Sequence, residues 1–589
     1  MVKNTAFFAE LISSIKKDKL SKQKLSNHKM LLCKKHNIKS VPTDIEILMQ
    51  ATEADVKKIR KYLQTKPTRT GSGVAVVAVM TKPHDCPHGK CAMCPGGPES
   101  FFGSVPQSYT GNEPASLRAI RNNYDPYLQV FNRLEQYVVL GQNPEKVELI
   151  IMGGTFPALP DSYKQEFVRL CFKAMNDFSR KFWKNQEFSI MDFKRFFLLP
   201  GNVGSDKRTQ EIHKKTLFLK SQGKKSIQRE QLINEKTSIR CVGLTIETRP
   251  DWGYKEHGNE LLKLGCTRVE LGIQSVHEKA LKKIERGHSV EDSVKSIQEL
   301  KDLGFKLNFH IMPGIEKKKK DIQGLKEVFE DSRFRPDMLK IYPLMVMPGT
   351  KLYTHWKKKM FKPINTKEAA KRIIELKKVV PAYCRIMRVQ RDIPSKLAEA
   401  GVDRTNLRQY IQTIMKKKNI VCNCIRCNEI KHIPISDVNL HKIHYMASKG
   451  NEFFIFLESS DKIVGFCRMR FPYEFLRKEI TRETALIREL HVYSSAVGLG
   501  KQTKGTAQHK GYGTALLAEA ESIAKTYYRT KIVVISGIGV REYYKKRGYN
   551  KQGHYMVKYL NRKTKKTKIV RKKRLIKKNK KYPKSISLA

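Results

Sequence analysis

The stretch TKPHDCPHGKCAMCPGGP, residues 81–98, decides how the chain is read. In it Cys86, Cys91 and Cys94 form a CxxxxCxxC run directly after the apolar segment Ser72 to Met80. Three thiolates in one loop can hold three irons of a 4Fe-4S cluster and leave the fourth iron without a protein ligand. A cluster that only relays electrons normally takes four cysteines, so a three-cysteine loop points to a small molecule at the open iron. The competing reading is a zinc knuckle with a distant fourth ligand. Context argues against zinc: the loop follows a β-branched strand and runs into Gly96-Gly97-Pro98, and a second apolar strand, Val147 to Met152, ends in Gly153-Gly154-Thr155.

From about 71 to 385 strand and helix patterns alternate, which implies a parallel sheet with crossover helices. Candidate strands are Val74 to Met80, Val147 to Met152, Val242 to Glu247, Arg268 to Ile273, Lys306 to Met312 and Met338 to Met345. Six β/α units make a partial barrel, and function should gather at the C-terminal ends of its strands. The motifs obey this: the cysteine loop, Gly153-Gly154-Thr155, Glu247-Thr248-Arg249, Gln274-Ser275, Met312-Pro313-Gly314 and Pro348-Gly349-Thr350 all follow strands. The alternation lapses between about 180 and 236 into a basic insertion of low periodicity.

On these residues the chain resembles radical SAM proteins, and VAVVAVMTKPHDCPHGKCAMCPGGP resembles the catalytic subunit family of the Elongator complex, which has the same four-residue spacing between its first two cysteines. The resemblance runs through nearly the whole chain. It implies a radical SAM partial (β/α)6 barrel that binds S-adenosylmethionine through Gly153, Gly154, Thr155, Glu247 and Gln274. Threonine stands at 155 where radical SAM proteins place an acid. It also implies that Lys340 and Tyr342, two apart on one strand and so on the same face, lie near the meeting point of a uridine and an acetyl group. The segment Arg388 to Arg408 matches the family's basic connector, whose guanidinium forks suit phosphates.

At 589 residues the chain is too long for one core. No uncharged apolar run reaches about 18 residues and no secretory leader is legible, so a cytoplasmic protein with no membrane span is expected. Net charge is +59, from 115 Lys and Arg against 56 Asp and Glu. That surplus makes a polyanion the expected partner, although part of it is a general lysine bias. Twelve cysteines at close spacings read as reduced metal ligands, with Cys33, Cys171, Cys241, Cys266 and Cys467 isolated and structural.

Residues 1–70 read as a helical, lysine-rich region, which the resemblance assigns to tRNA contact. In the linker 386–435, Cys422, Cys424 and Cys427 with His432 suggest tetrahedral zinc, with Cys384 or His441 as alternatives to His432 and a second iron-sulfur site as the competing reading. Residues 436–560 change to an α+β pattern. Gln508-His509-Lys510-Gly511-Tyr512-Gly513-Thr514, at a strand-to-helix turn, lets backbone N–H groups approach a pyrophosphate. Placed between RELHVY and an amphipathic helix, it resembles the GNAT acetyltransferase fold. This implies acetyl-CoA contacts at Leu490, His491, Val492, Gln508, Lys510 and Gly511 to Thr514, with Tyr543 and Tyr544 near the thioester. Residues 561–589 form a basic tail suited to diffuse RNA attraction.

The resemblance implies a tRNA-modifying acyltransferase. A 5′-deoxyadenosyl radical takes hydrogen from the methyl of acetyl-CoA, the carbon radical adds to C5 of the wobble uridine of the anticodon stem-loop, and thioester hydrolysis leaves 5-carboxymethyluridine. The expected geometry is one cleft onto which both cofactor sites open. The alternatives are a protein lysine acetyltransferase with a structural iron-sulfur domain and an RNA-binding scaffold without turnover. A cationic chain disfavours lysine-rich peptides as substrates. A homodimer and other Elongator subunits are left open by the residues.

Overall fold

The computed structural model describes residues 5–560, apart from 19, 21, 66–72, 143, 186, 202–204, 432 and 494–510, and beyond 560 only the strand Ile576–Lys577. Four helices come first: Thr5–Asp18, Lys22–Lys35, Asp44–Gln50 and Glu53–Leu63. Thr43 and Glu46 close a capping box at the start of the third, and Thr52 caps the fourth. Their apolar stripes, including Phe7, Leu11, Ile15, Leu25, Ile47 and Ile59, are buried together. The helices are tied to the next layer by Arg60, whose Nε donates to Gly141 O at 2.7 Å, and by Lys194, whose Nζ donates to Ala51 O at 2.6 Å.

The barrel strands are β1 (Ala75–Met80), β2 (Lys146–Met152), β3 (Arg240–Thr248), β4 (Arg268–Gln274), β5 (Lys306–Ile311), β6 (Met338–Ile341) and β7 (Arg385–Val389). They lie side by side in sequence order and all pairs are parallel. Parallel strands added in one direction need a crossover each time, and the right-handed crossovers place the helices outside and curl the sheet. The six expected strands are all present. The seventh, β7, extends the sheet into a segment read as linker, because Arg385-Ile386-Met387-Arg388-Val389 is short and has no regular alternation of charged and apolar residues.

The insertion of low periodicity is helical. Helices Ile190–Phe196, Asp206–Ser221 and Ile227–Asn234 follow the long helix Asp161–Phe182, and Ser189, Ser205 and Ser226 cap them. An aromatic cluster holds the first of them to the long helix, with Phe178 and Phe182 rings 4.7 Å apart, Phe182 and Phe193 5.5 Å, and Phe193 and Phe197 4.7 Å, and Asn176 donates to Glu230 of the third at 2.7 Å.

The second sheet contains β8 (Val438–Ala447), β9 (Gly450–Ser459), β10 (Lys462–Phe471), β11 (Thr484–Val492), β12 (Lys531–Val534), β13 (Asn550–Gln552) and β14 (Tyr555–Tyr559). Its order is β13-β14-β12-β11-β10-β9-β8, and Ile576–Lys577 pairs parallel with the outer edge of β8 as an eighth strand. Strands β8 to β11 are antiparallel neighbours, while β11 pairs parallel with β12 only over Thr484 to Ile487.

This sheet docks on the N-terminal ends of the barrel strands. Arg488 clasps Asp337, just before β6, through two bonds of 2.6 and 2.8 Å, and donates to Phe305 O at 2.7 Å. Arg470 meets Asp302 at 2.7 Å, and Glu452 bonds both Arg470 and Arg488. Arg468 bonds Glu489 at 2.8 Å and Tyr383 O at 2.6 Å. All three arginines are fully buried. At Gly537 a Cβ would stand 2.1 Å from Val242 O at the start of β3, so only glycine permits the approach. The cysteine loop and Gly153-Gly154-Thr155 leave the opposite, C-terminal ends. The expectation of one cleft serving both cofactor sites is therefore corrected: the candidate sites flank opposite ends of the barrel strands.

Removing one partner from a buried ion network strands the other charge and costs about 3–5 kcal/mol. Asp337→Ala should lower the urea unfolding midpoint accordingly. A cost below about 1 kcal/mol would show that the network does not clamp the two sheets.

Candidate functional site

The turn after β2 explains why the cysteine loop lies where it does. Gly153 and Gly154 adopt φ of 123° and 110°, and a Cβ on Gly153 would stand 2.3 Å from Thr81 Oγ1, so the turn packs directly on the root of the loop. Thr155 is buried and its hydroxyl lies 3.6 Å from Cys86 Sγ. His88 Nε2 is 3.1 Å and Arg286 Nη1 3.4 Å from Cys91 Sγ, and Ser108 N donates to Cys94 Sγ at 3.2 Å. Each sulfur thus has a donor suited to a thiolate. Burial pushes the Cys86 and Cys94 thiols up, so a bound metal is what would hold them ionised.

The spacing of sulfurs separates two kinds of metal site. Four ligands at Zn–S of about 2.3 Å in a tetrahedron place sulfurs about 3.8 Å apart. Among the described residues Cys422, Cys424 and Cys427 converge within 4.8 Å, whereas Cys86, Cys91 and Cys94 do not form such a group. The looser trio fits a cluster with several irons and the tighter one a single ion. Lys377 Nζ lies 3.2 Å from Cys422 Sγ. Of the candidate fourth ligands, His432 lies outside the described residues, Cys384 does not join the group, and His441 faces Glu458 at 3.6 Å and stacks on Phe456.

Alternation along the strands sends a polar set into the barrel. Lys340 on β6 bonds Glu270 on β4 and lies 3.5 Å from Glu247 on β3. His310 Nε2 on β5 is 2.9 Å from Glu270 Oε2, Asn308 donates to Glu270 Oε1 at 3.1 Å, and Tyr109 donates to Glu247 Oε2 at 3.0 Å. The Tyr342 ring meets His310 edge-on at 5.3 Å, and the Arg391 guanidinium stands 6.0 Å over it. Opposing burial, the Lys340 ammonium and the His310 bond hold the Glu270 carboxyl well below the usual range. Burial and Lys340 lower His310, and burial raises Tyr342. Gln274 closes β4 with a positive φ of 67°, at a bulge opposite β5.

Below this set the polar lining continues to the floor: Arg268 pairs with Glu148, and Arg468 with Glu489 on β11. Sequence reading missed Glu270, His310, Asn308 and Tyr109. The signal for the first three was the every-second-residue pattern in Arg268-Val-Glu270 and Asn308-Phe-His310, polar positions pointing into a barrel. Tyr109 carries no such mark, since a long loop delivers it.

In the second sheet β11 leaves β12 after Ile487, so Leu490, His491 and Val492 present a strand edge unpaired by β12. A Cβ on Gly513 would meet Tyr543 Oη at 2.7 Å and Val492 Cγ2 at 3.7 Å, which brings three expected contact residues together. Gly511 is left-handed, φ 86°, at the start of helix Tyr512–Thr526. Arg547, missed in the sequence, lies over the Tyr543 ring at 3.5 Å and donates to Thr514 Oγ1 at 2.9 Å, adding a cation at that helix start. His491 is half-buried beside Tyr493, with rings 4.4 Å apart, and desolvation lowers it to about 4. Tyr544 packs in the core against Tyr549. Gln508 and Lys510 lie outside the described residues.

Comparison with known proteins agrees with this architecture. Residues 81–327 match the Radical SAM superfamily, 336–417 a Radical SAM C-terminal domain, 5–71 the ELP3 N-terminal domain and 425–549 the Acetyltransferase (GNAT) family. The tRNA uridine(34) acetyltransferase of Methanocaldococcus jannaschii is 44% identical over 533 residues, covering 88% of this chain and 90% of that protein. Elongator complex protein 3 of Schizosaccharomyces pombe is 39% identical over 576 residues, covering 94% and 97%. The solved structure of the archaeal Methanocaldococcus infernus Elp3 with an N-terminal deletion (1–46) superposes with a TM-score of 0.67 at 38% identity, covering 83% of this chain and all of that one. A radical SAM barrel and a GNAT acetyltransferase domain in one polypeptide, with relatives this similar along nearly its full length, mean that the chain belongs to the Elongator complex protein 3 family.

Proposed function

We propose that the chain is a tRNA-modifying acyltransferase that places a carboxymethyl group on C5 of uridine 34. The observation that carries this reading is the polar barrel lumen, from Glu247, Glu270, His310, Lys340 and Tyr342 down to Arg268 and Glu148, lying between a cysteine loop on one rim and an acyl-carrier fold on the other. When bound, S-adenosylmethionine on a 4Fe-4S cluster supplies a 5′-deoxyadenosyl radical, and acetyl-CoA supplies the two-carbon unit. Cys86, Cys91 and Cys94 would hold the cluster, and Gly153, Gly154, Thr155, Glu247 and Gln274 would orient S-adenosylmethionine. Leu490 to Val492, Gly511 to Thr514 and Tyr543 would hold acetyl-CoA. Lys340 presents a fixed positive charge to a substrate carbonyl or carboxylate, and Tyr342 and Tyr109 offer ring faces for an unstacked pyrimidine.

Lysines on the N-terminal helices, among them Lys17 and Lys34 in the last turns of the first two, add the electrostatic attraction that a tRNA backbone calls for. The organisation we assign is 1–70 for this tRNA-binding region, 71–385 for the radical SAM domain, 386–435 for the linker, 436–560 for the GNAT domain and 561–589 for the tail. Cys422, Cys424 and Cys427 would hold zinc with His432 as fourth ligand, and Lys377 offsets the excess negative charge of the thiolates. No helix among the described residues is long and apolar enough to cross a membrane.

Three experiments test these assignments. Anaerobically reconstituted protein should bind about four irons per chain, release 5′-deoxyadenosine and, with tRNA and acetyl-CoA, yield 5-carboxymethyluridine; Cys91→Ser should abolish all three. Acetyl transfer to peptides without RNA, in place of the nucleoside product, would overturn the reading. Gly513→Val, which drives a side chain into Tyr543, should raise the KM for acetyl-CoA about tenfold, a loss of about 1.4 kcal/mol, with iron content unchanged. Zinc should be present at one ion per chain by elemental analysis and be lost in Cys424→Ser, and iron at that position would contradict the assignment.

A further inference from the structure

Glu270 is the hub of the lumen. Its side chain is fully buried, at 0% exposure, so no substrate reaches it directly, yet it bonds Lys340, His310 and Asn308 at once. We propose that Glu270 is the positioning residue of the uridine chemistry, and that it leaves His310 Nδ1 as the atom that accepts the proton lost from C5 of the uridine. This inference rests on the substrate reading above and names the base that reading lacks.

The argument is one of donors and acceptors. An ionised carboxylate only accepts hydrogen bonds, so His310 must donate its Nε2 hydrogen to Glu270, and the neutral ring then carries its lone pair on Nδ1. Burial and the Lys340 ammonium keep the ring neutral. The other groups are unsuited to the task. Lys340 is held charged by Glu270 and Glu247 and has no lone pair, Glu270 is buried and engaged by three donors, and Glu247 is engaged by Tyr109 and Lys340. Burial keeps Tyr342 protonated. The cation niche formed by Glu247, Glu270 and His310 already contains Lys340, so it is not an ion site. The His310 ring lies against Tyr342, where the substrate pyrimidine is assigned.

The chemistry balances with one proton acceptor. A carbon radical adds to C5 of the uridine, forming the new C–C bond and leaving an unpaired electron on the ring. Restoring the uracil then breaks the C5–H bond. Its proton goes to His310 Nδ1, and the electron would pass to the oxidised 4Fe-4S cluster that Cys86, Cys91 and Cys94 would hold, the one-electron oxidant this step requires.

The test separates radical formation from product formation. In Glu270→Leu no acceptor remains for the His310 Nε2 hydrogen, so the ring loses the bond that fixes its tautomer and keeps the lone pair on Nδ1. We expect 5′-deoxyadenosine release to stay within about twofold of the unsubstituted protein while 5-carboxymethyluridine falls about 100-fold, the scale of general-base catalysis. His310→Gly should show the same uncoupling, and imidazole added to the solution should restore product. Iron content and tRNA affinity, measured alongside, should match the unsubstituted protein. A parallel fall of both products, no fall in either, or no rescue by imidazole would overturn the proposal. If the unsubstituted protein makes no carboxymethyluridine, the substrate reading fails and this inference fails with it.

Discussion

Three arginines shielded from solvent, Arg468, Arg470 and Arg488, hold the acetyltransferase sheet against the floor of the radical SAM barrel through Asp302, Asp337, Glu452 and Glu489. Burying so many charges costs several kcal/mol per ion before any pairing, and the network persists only because nearly every donor finds a carboxylate or carbonyl. Its geometry also fixes orientation. Arg488 grips Asp337 with both ends of its fork, a bidentate pairing that tolerates little rotation. The register of the second sheet relative to the barrel follows from this pairing, as does the position of the acyl-carrier edge of β11 under the strand starts.

That arrangement has a chemical consequence. The two candidate cofactor sites lie at opposite rims, and what lies between them is a lining of paired charges: Arg268 with Glu148, Lys340 with Glu270 and Glu247, and Arg468 with Glu489. A low-dielectric barrel strengthens each of these interactions and keeps its members in fixed protonation states. Lys340 is held charged, Glu270 ionised and His310 neutral. The same carboxylate, Glu270, thus sets both a permanent cation and a neutral base in one chamber.

Much of the site was legible in the primary structure where chemistry is tied to local spacing. Cys86, Cys91 and Cys94 belong to one loop, Gly153 and Gly154 to one turn, and Gly511 to Gly513 to one helix start, so each could be named without knowing what it faces. Lys340 and Tyr342 were named by family resemblance together with their shared strand face. Glu270, His310 and Arg547 were not named, because their meaning depends on partners 40, 70 or 33 positions away. The helices of the insertion were not named for a related reason. These short helices carry weak periodicity, and contacts between separate segments hold them in place.

The chain by itself determined that a cysteine loop follows a β-branched strand, that β/α units alternate after it, and that a glycine turn opens a helix near the C-terminus. These depend on side-chain period and backbone freedom, which are properties of neighbouring residues. Only the tertiary structure decided that β7 completes the sheet, that the acyl-carrier fold meets the strand starts rather than the cysteine rim, and that Glu270 ties Lys340 to His310. Those facts depend on which distant charges can be buried together at neutral balance, and no local pattern records that choice.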